Sequence, residues 1–171
     1  MRLDEIIGHC AGIERTIAEI YASFAERWPQ QPFGQLWKDL ADEEIGHGTL
    51  LDSAACLPAA QRDEVSVDAT KLEAIRAQVV SRLPKRETTL EQALEIALDL
   101  EELELDNIYR RLLALTADDS RMSSTFRTAL GQYSHHEERL LAAVEQHAKD
   151  PALLKRAQQA RRRLLRRGGG S

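Results

Sequence analysis

Glu44 and His47 stand three residues apart in the run Ala41-Asp42-Glu43-Glu44-Ile45-Gly46-His47. On a helix that spacing places a carboxylate and an imidazole on the same side, about one turn apart. A carboxylate offers hard oxygen donors and an imidazole a borderline nitrogen, a combination suited to iron or manganese. Glu14 falls in the middle of an otherwise apolar helical face (Ile6, Ile7, Cys10, Ala11, Ile17, Ala18, Tyr21, Ala25). A carboxylate there costs on the order of several kcal/mol unless a buried partner receives it. Later in the chain, the face formed by Met122, Phe126, Ala129, Tyr133, Leu140 and Val144 carries His136, with Glu137 at its edge.

The elements that must position these residues are helices. Apolar spacing predicts a first helix from about Leu3 to Glu26, ended by Pro29 and Pro32, and a second from Phe33 to just before Pro58. The second presents Phe33, Leu36, Trp37, Leu40, Glu44, His47, Leu51 and Ala55 inward, with Trp28 and Trp37 as packing anchors. A polar linker over about 58–68 leads to a short helix from Thr70 to Leu83, capped by Asp68 and closed by Pro84. Thr88-x-x-Glu91 reads as a capping box opening a third long helix that continues to about Leu115. A fourth runs from near Ser120 to His147. Asp150-Pro151 reads as the cap and first residue of a basic helix to about Arg167, and the closing Gly-Gly-Gly-Ser has the composition of a flexible end.

The long helices repeat a pattern. Glu14-x-x-Ile17-x-x-Ile20-Tyr21 matches Glu102-x-x-Leu105-x-x-Ile108-Tyr109, and the Tyr-to-His intervals that follow, 26 residues to His47 and 27 to His136, are nearly equal. The chain reads as two helical hairpins, each offering a glutamate from its first helix and a histidine from its second. The repeat selects Glu102 on the third long helix. The apolar face Leu94, Ala97, Leu98, Leu105, Ile108 and Leu112 is centred on Glu101 instead, and a single π-bulge would reconcile the two.

Glutamate followed seven residues later by tyrosine, then Glu43-Glu44-x-x-His47, then Ala93-Leu94-Glu95-Ile96-Ala97-Leu98-Asp99-Leu100-Glu101-Glu102, resembles the rubrerythrin-like branch of the ferritin-like superfamily over roughly residues 3–148. The resemblance implies an all-α, antiparallel four-helix bundle of ferritin-like type over residues 1–148. Its longest connection, between the second and third long helices, crosses the bundle and carries the short helix. Residues 149–171 add the basic C-terminal helix and tail. The resemblance further implies a carboxylate-bridged di-iron site, with manganese or a single metal ion as alternatives. Its ligands would come from Glu14, Glu44, His47, Glu101 or Glu102, and His136, and Tyr21 and Tyr109 would hydrogen-bond ligand carboxylates across the bundle. The chain departs from the pattern on the fourth helix: three residues before His136 stands Tyr133, where the family has a bridging glutamate. The carboxylate of that helix is then missing or displaced to Glu137, and Tyr133 enters the site as a candidate phenolate ligand or reacting group.

The implied activity is iron chemistry with peroxide or oxygen, of peroxidase or ferroxidase type. There is no Cys-x-x-Cys, hence no rubredoxin-type module within this sequence, and peroxidase turnover would draw electrons from a separate donor protein. Cys10 and Cys56 read as small packing residues. Composition agrees with helices: aromatics are only 5% and charged residues 30%. No apolar run approaches the roughly 20 residues needed to span a bilayer, and no signal-peptide core follows Met1, so the expected location is cytoplasmic. Seven bases and no acid lie between Pro151 and Ser171, leaving 16 bases against 28 acids before them. Such a basic helix is expected to dock on the acidic body, a neighbouring subunit of a homo-oligomer, a membrane surface or a shell. The competing expectation is a degenerate ferritin-like bundle holding one metal ion or none and acting as a binding or assembly module.

Overall fold

Leu3–Arg27 forms the first helix, α1, with Asp4 and Glu5 in its first turn and Arg27 in its last, the favourable order for the helix dipole. The Glu5 carboxylate accepts the Arg2 N–H at 2.9 Å and closes the N-terminus. This is a computed structural model; it describes residues 2–30, 32–57, 69–103, 110, 112–114 and 120–168, with the side chains of Met122, Thr125, 129–135 and 166–168 outside the description. The described chain is all-helical: α2 (Phe33–Ala55), α3 (Ala69–Ser81), α4 (Leu90–Glu101), α5 (Ser120–His147) and α6 (Pro151–Gly168) follow α1. No strand occurs among the described residues, and none of their helices is long and apolar enough to cross a membrane.

Five residues join α1 to α2, so the two pack antiparallel. Tyr21 stacks on Trp37 at 6.1 Å between ring centroids, and Phe24 meets the same indole edge-on at 5.1 Å. The turn is tight at Gly34: its N–H bonds Gln30 O at 2.9 Å, and a β-carbon there would fall 2.2 Å from Pro29 O. Next, α5 packs on α2, with Arg139 bonded to Glu43 and the His147 ring 4.8 Å from Phe33 at the other end. In turn α4 contacts both α5 and α1, so α1, α2, α5 and α4 touch in a ring, each antiparallel to its neighbours. The Arg27 guanidinium donates to Thr88 O and ties the end of α1 to the start of α4. Helices α2 and α4 therefore run the same way, and the connection between them must return along the molecule. It carries α3, which packs on α1.

The core lies inside this ring. Its members include Ile6, Ile7, Cys10, Ile13, Tyr21, Trp37, Leu40, Leu51, Leu94, Leu98, Phe126, Leu140 and Val144, each at most 2% exposed. The buried face of α1 is wider than its sequence stripe. Leu3, Ile13, Ile20 and Phe24 are buried as well, because α3 and α4 cover the flanks left by α2, and Phe24 rather than Ala25 fills the last turn.

Several boundaries differ from expectation. Helix α4 is capped by Thr89 with Gln92, not by Thr88 with Glu91. Thr88 Oγ1 instead accepts Lys85 N–H, and Glu91 accepts the N–H groups of Lys149 and Asp150, bracing the approach to α6. Helix α4 ends at Glu101, where Leu103 N bonds Leu100 O in a tightened last turn; residues 110 and 112–114 are again helical, and the expected stretch between them, with any π-bulge there, lies outside the described residues. Residues 104–109, with Leu105, Ile108 and Tyr109, lie outside the described residues, as do the 58–68 linker with Asp68 and the final 169–171. Asp150 caps α6 as expected, its Oδ1 accepting Ala152 N–H at 2.9 Å. Cys10 is buried, but Cys56 is exposed at the C-cap of α2 and does not serve packing.

Replacing Gly34 with alanine should overpack the α1–α2 turn. Overpacking costs about 1–3 kcal/mol, so thermal unfolding of Gly34→Ala should show a clear loss of melting temperature, while Gly46→Ala, whose added methyl meets nothing within 4 Å, should not.

Candidate metal centre

Glu14 on α1 and Glu44 and His47 on α2 face one another because the two helices pack antiparallel, which brings the middle of one against the middle of the other. Glu14 is 0% exposed, Glu44 1% and His47 0%. The third wall is α5, whose His136 is also 0% exposed. Four ionisable side chains thus converge in an otherwise apolar interior, a costly arrangement unless they satisfy one another or bind a cation.

Glu44 is the hub. One of its oxygens, Oε2, lies 3.0 Å from His47 Nδ1, and the other, Oε1, lies 3.3 Å from His136 Nδ1. The two imidazoles are 5.1 Å apart between centroids and tilted by 36°, so both present Nδ1 to the same carboxylate. Glu44, His47 and His136 each offer one donor atom within 4.8 Å of the others. Metal bonds of about 2.0–2.2 Å would draw such a set together by rotation of its side chains. The donors therefore fit a transition-metal ion: three buried groups, two neutral-capable nitrogens and one carboxylate, from two facing helices.

Two more carboxyls border the set. Glu14 shares a hydrogen bond with Glu44, which requires that one of the two carry a proton. Glu101 is half-buried at the end of α4, and Tyr21 O–H donates to its Oε1 at 3.1 Å. Burial pushes the Glu44 carboxyl up to about 7, against the pull of the Glu14 hydrogen bond and with help from the Glu43 charge. Burial first, and then the Glu44 charge, pushes Glu101 up to about 8, against the opposing influence of His136 and Tyr21. Burial lowers His136, outweighing the Glu101 and Glu43 carboxylates, so its imidazole is neutral at pH 7 and keeps a lone pair for a metal. Tyr21 is raised well above the usual phenol value by burial and by Glu101, and it stays protonated as a donor.

The residues singled out by type and spacing thus divide. Glu14, Glu44, His47 and His136 come together, with Glu101 adjoining. Glu137 is half-buried near enough to raise Glu101, at the rim. Glu102 belongs elsewhere: it is exposed, and its carboxylate is taken by Arg156 at 2.7 Å and Arg163 at 2.6 Å. The internal repeat points to Glu102, which lies outside the cluster, and the apolar face points to Glu101, which adjoins it. The side chains of Tyr133 and His135 lie outside the described residues. His9 pairs loosely with Glu73 of α3 at 3.9 Å, away from the centre.

Spacing did not reveal Glu43. Its carboxylate touches His136 Nε2 and is held by Arg139, whose Nη1 also approaches Asp39 at 3.8 Å. Glu43 is thus an acidic residue between the buried histidine and the surface, and only the α2–α5 crossing brings the two together.

Metal-free protein should lose stability as pH rises. Glu44 and Glu101 titrate higher folded than unfolded, so the folded state binds more protons from about pH 4.5 upward. Their contribution is complete below that value and is lost as pH rises through about 7 and 8. Chemical denaturation of the apo protein should show this decline, and Glu44→Gln combined with Glu101→Gln should flatten it; an unchanged slope in the double variant would contradict the assignment. Comparison with protein-family models, with curated proteins and with solved structures returns no match, so the site is read from its own geometry.

Proposed function

We propose that this chain is a ferritin-like, rubrerythrin-like metal protein that binds iron within its helical ring and reacts with peroxide or oxygen. The observation that carries the reading is the convergence of Glu44, His47 and His136 as buried donors. The ring of four antiparallel helices and the long α2–α4 connection carrying α3 support a ferritin-like arrangement.

In this reading Glu44 and His47 from α2 and His136 from α5 hold the ion, with Glu14 and Glu101 as adjoining carboxylates for a second. Bound iron supplies one-electron redox chemistry toward peroxide or oxygen. Burial keeps the His136 imidazole neutral, and both imidazoles turn Nδ1 to Glu44. Tyr21 holds its proton on Oη and orients Glu101 through it. Glu44 and Glu101, each titrating near neutrality, release protons as positive charge arrives and take them up as it leaves. Apolar residues above and below, Ile13, Leu40, Leu51 and Leu140, exclude bulk water. Peroxidase turnover would draw electrons from a separate donor protein.

A single-ion site is the second reading. It is favoured because the tight group has three donors, while Glu101 is already engaged by Tyr21. Metal content per purified chain distinguishes the readings: two ions support the first and one supports the second. Glu44→Ala and His47→Ala should each lower iron content to background and abolish peroxide consumption by the Fe(II) form in stopped flow. Undiminished iron in both variants would overturn either reading.

A further inference from the structure

Helix α4 ends badly for a helix. Asp99, Glu101 and Glu102 crowd its last turn, where the dipole is negative and acids are disfavoured, and that turn contains no base of its own. The offsetting charge comes from two other helices. Arg82, just beyond α3, reaches Asp99 Oδ2 at 2.7 Å. Arg156 of α6 bonds Asp99 and, through Nε and Nη2, Glu102 Oε2 at 3.0 and 2.7 Å. Arg163, two turns further along α6, takes Glu102 Oε1 at 2.6 Å. Asp99 and Glu102 are thus held from outside, while Glu101 between them turns inward to Tyr21.

We propose that the basic helix α6 is a clamp for the metal centre, with Arg156 the positioning residue that fixes Glu101 through its two neighbours. The proposal rests on the reading of Glu101 as a carboxylate adjoining the bound ion. The innermost arginine of the basic helix is committed to α4. Leu153, Ala157 and Ala160 seat α6 in the core and bring Arg156 to this point. Arg161, on the same helix, bonds Glu145 of α5 instead and holds α6 down without touching α4. The Arg156 pairs border a polar cavity of about 290 Å³ lined also by Gln78 and Ser81. Water can solvate the freed carboxylates there, so loss of Arg156 loosens the turn without collapsing the fold.

The test compares Arg156→Ala, Arg156→Lys and Arg161→Ala in the full-length protein. In the metal-free state, hydrogen exchange at the amides of Glu102 and Leu103, bonded to Leu98 O and Leu100 O, should quicken in Arg156→Ala and stay at the wild-type rate in Arg161→Ala. Titration with Co(II), read by its visible absorption, should show affinity falling on the order of tenfold in Arg156→Ala with a changed band shape. Arg156→Lys should recover part of the loss, since it restores charge without the planar fork, and Arg161→Ala should match wild type. Equal behaviour of Arg156→Ala and wild type, or equal weakening by Arg156→Ala and Arg161→Ala, would overturn the clamp. Wild-type protein that binds no Co(II) would overturn the site reading instead, and the exchange rates would still report whether Arg156 holds the turn.

Discussion

Burying Glu14, Glu44, His47 and His136 in one apolar interior is the constraint on which the rest of the molecule depends. A lone buried carboxylate is untenable, so each helix must deliver its polar group to the same small volume, and the positions of the helices follow from that demand. Glu44 meets it most fully, with one oxygen turned to each imidazole and a hydrogen bond to Glu14. The aromatic layer of Tyr21, Trp37 and Phe24 fixes the α1–α2 crossing that brings Glu14 opposite Glu44. The α2–α5 contacts at Glu43–Arg139 and Phe33–His147, both C-terminal to His136 on α5, fix the crossing that carries His136 to Glu44.

The same demand explains the charge distribution. Carboxylates that do not reach the interior need partners at the surface, and the basic residues of α6 supply them at Asp99, Glu102 and Glu145. Arg139 does similar work on the other side, holding Glu43 against His136. At these points opposite charges meet across helix boundaries, Arg156 on α4, Arg161 on α5 and Arg139 on α2.

Much of this was legible from residue spacing. Helices α1, α2 and α5 begin and end within a residue or two of the positions that prolines and apolar periodicity indicate. The inward direction of Glu14, Glu44, His47 and His136 followed from their place on apolar faces, because burial of a helix stripe is dictated by period alone. What was not legible depended on contacts between helices. The choice between Glu101 and Glu102 turned on partners from other helices: Arg156 and Arg163 of α6 take Glu102, and Tyr21 of α1 takes Glu101. Thr89 outcompeted Thr88 as a cap because Thr88 serves the preceding turn. Glu43 drew no separate role from spacing, because only the crossing of α5 brings it to His136. The all-helical class was therefore readable, whereas the ferritin-like identity and the iron chemistry remain proposals resting on the geometry of one cluster.

Diffraction from crystals grown with Fe(II), recorded above and below the iron absorption edge, locates the ion. An anomalous peak is expected between Glu44, His47 and His136, within bonding distance of all three, with a second beside Glu14 and Glu101 if two ions bind. Iron found only on the exposed surface, with the Glu44 carboxylate still hydrogen-bonded to its protein neighbours, would contradict that placement.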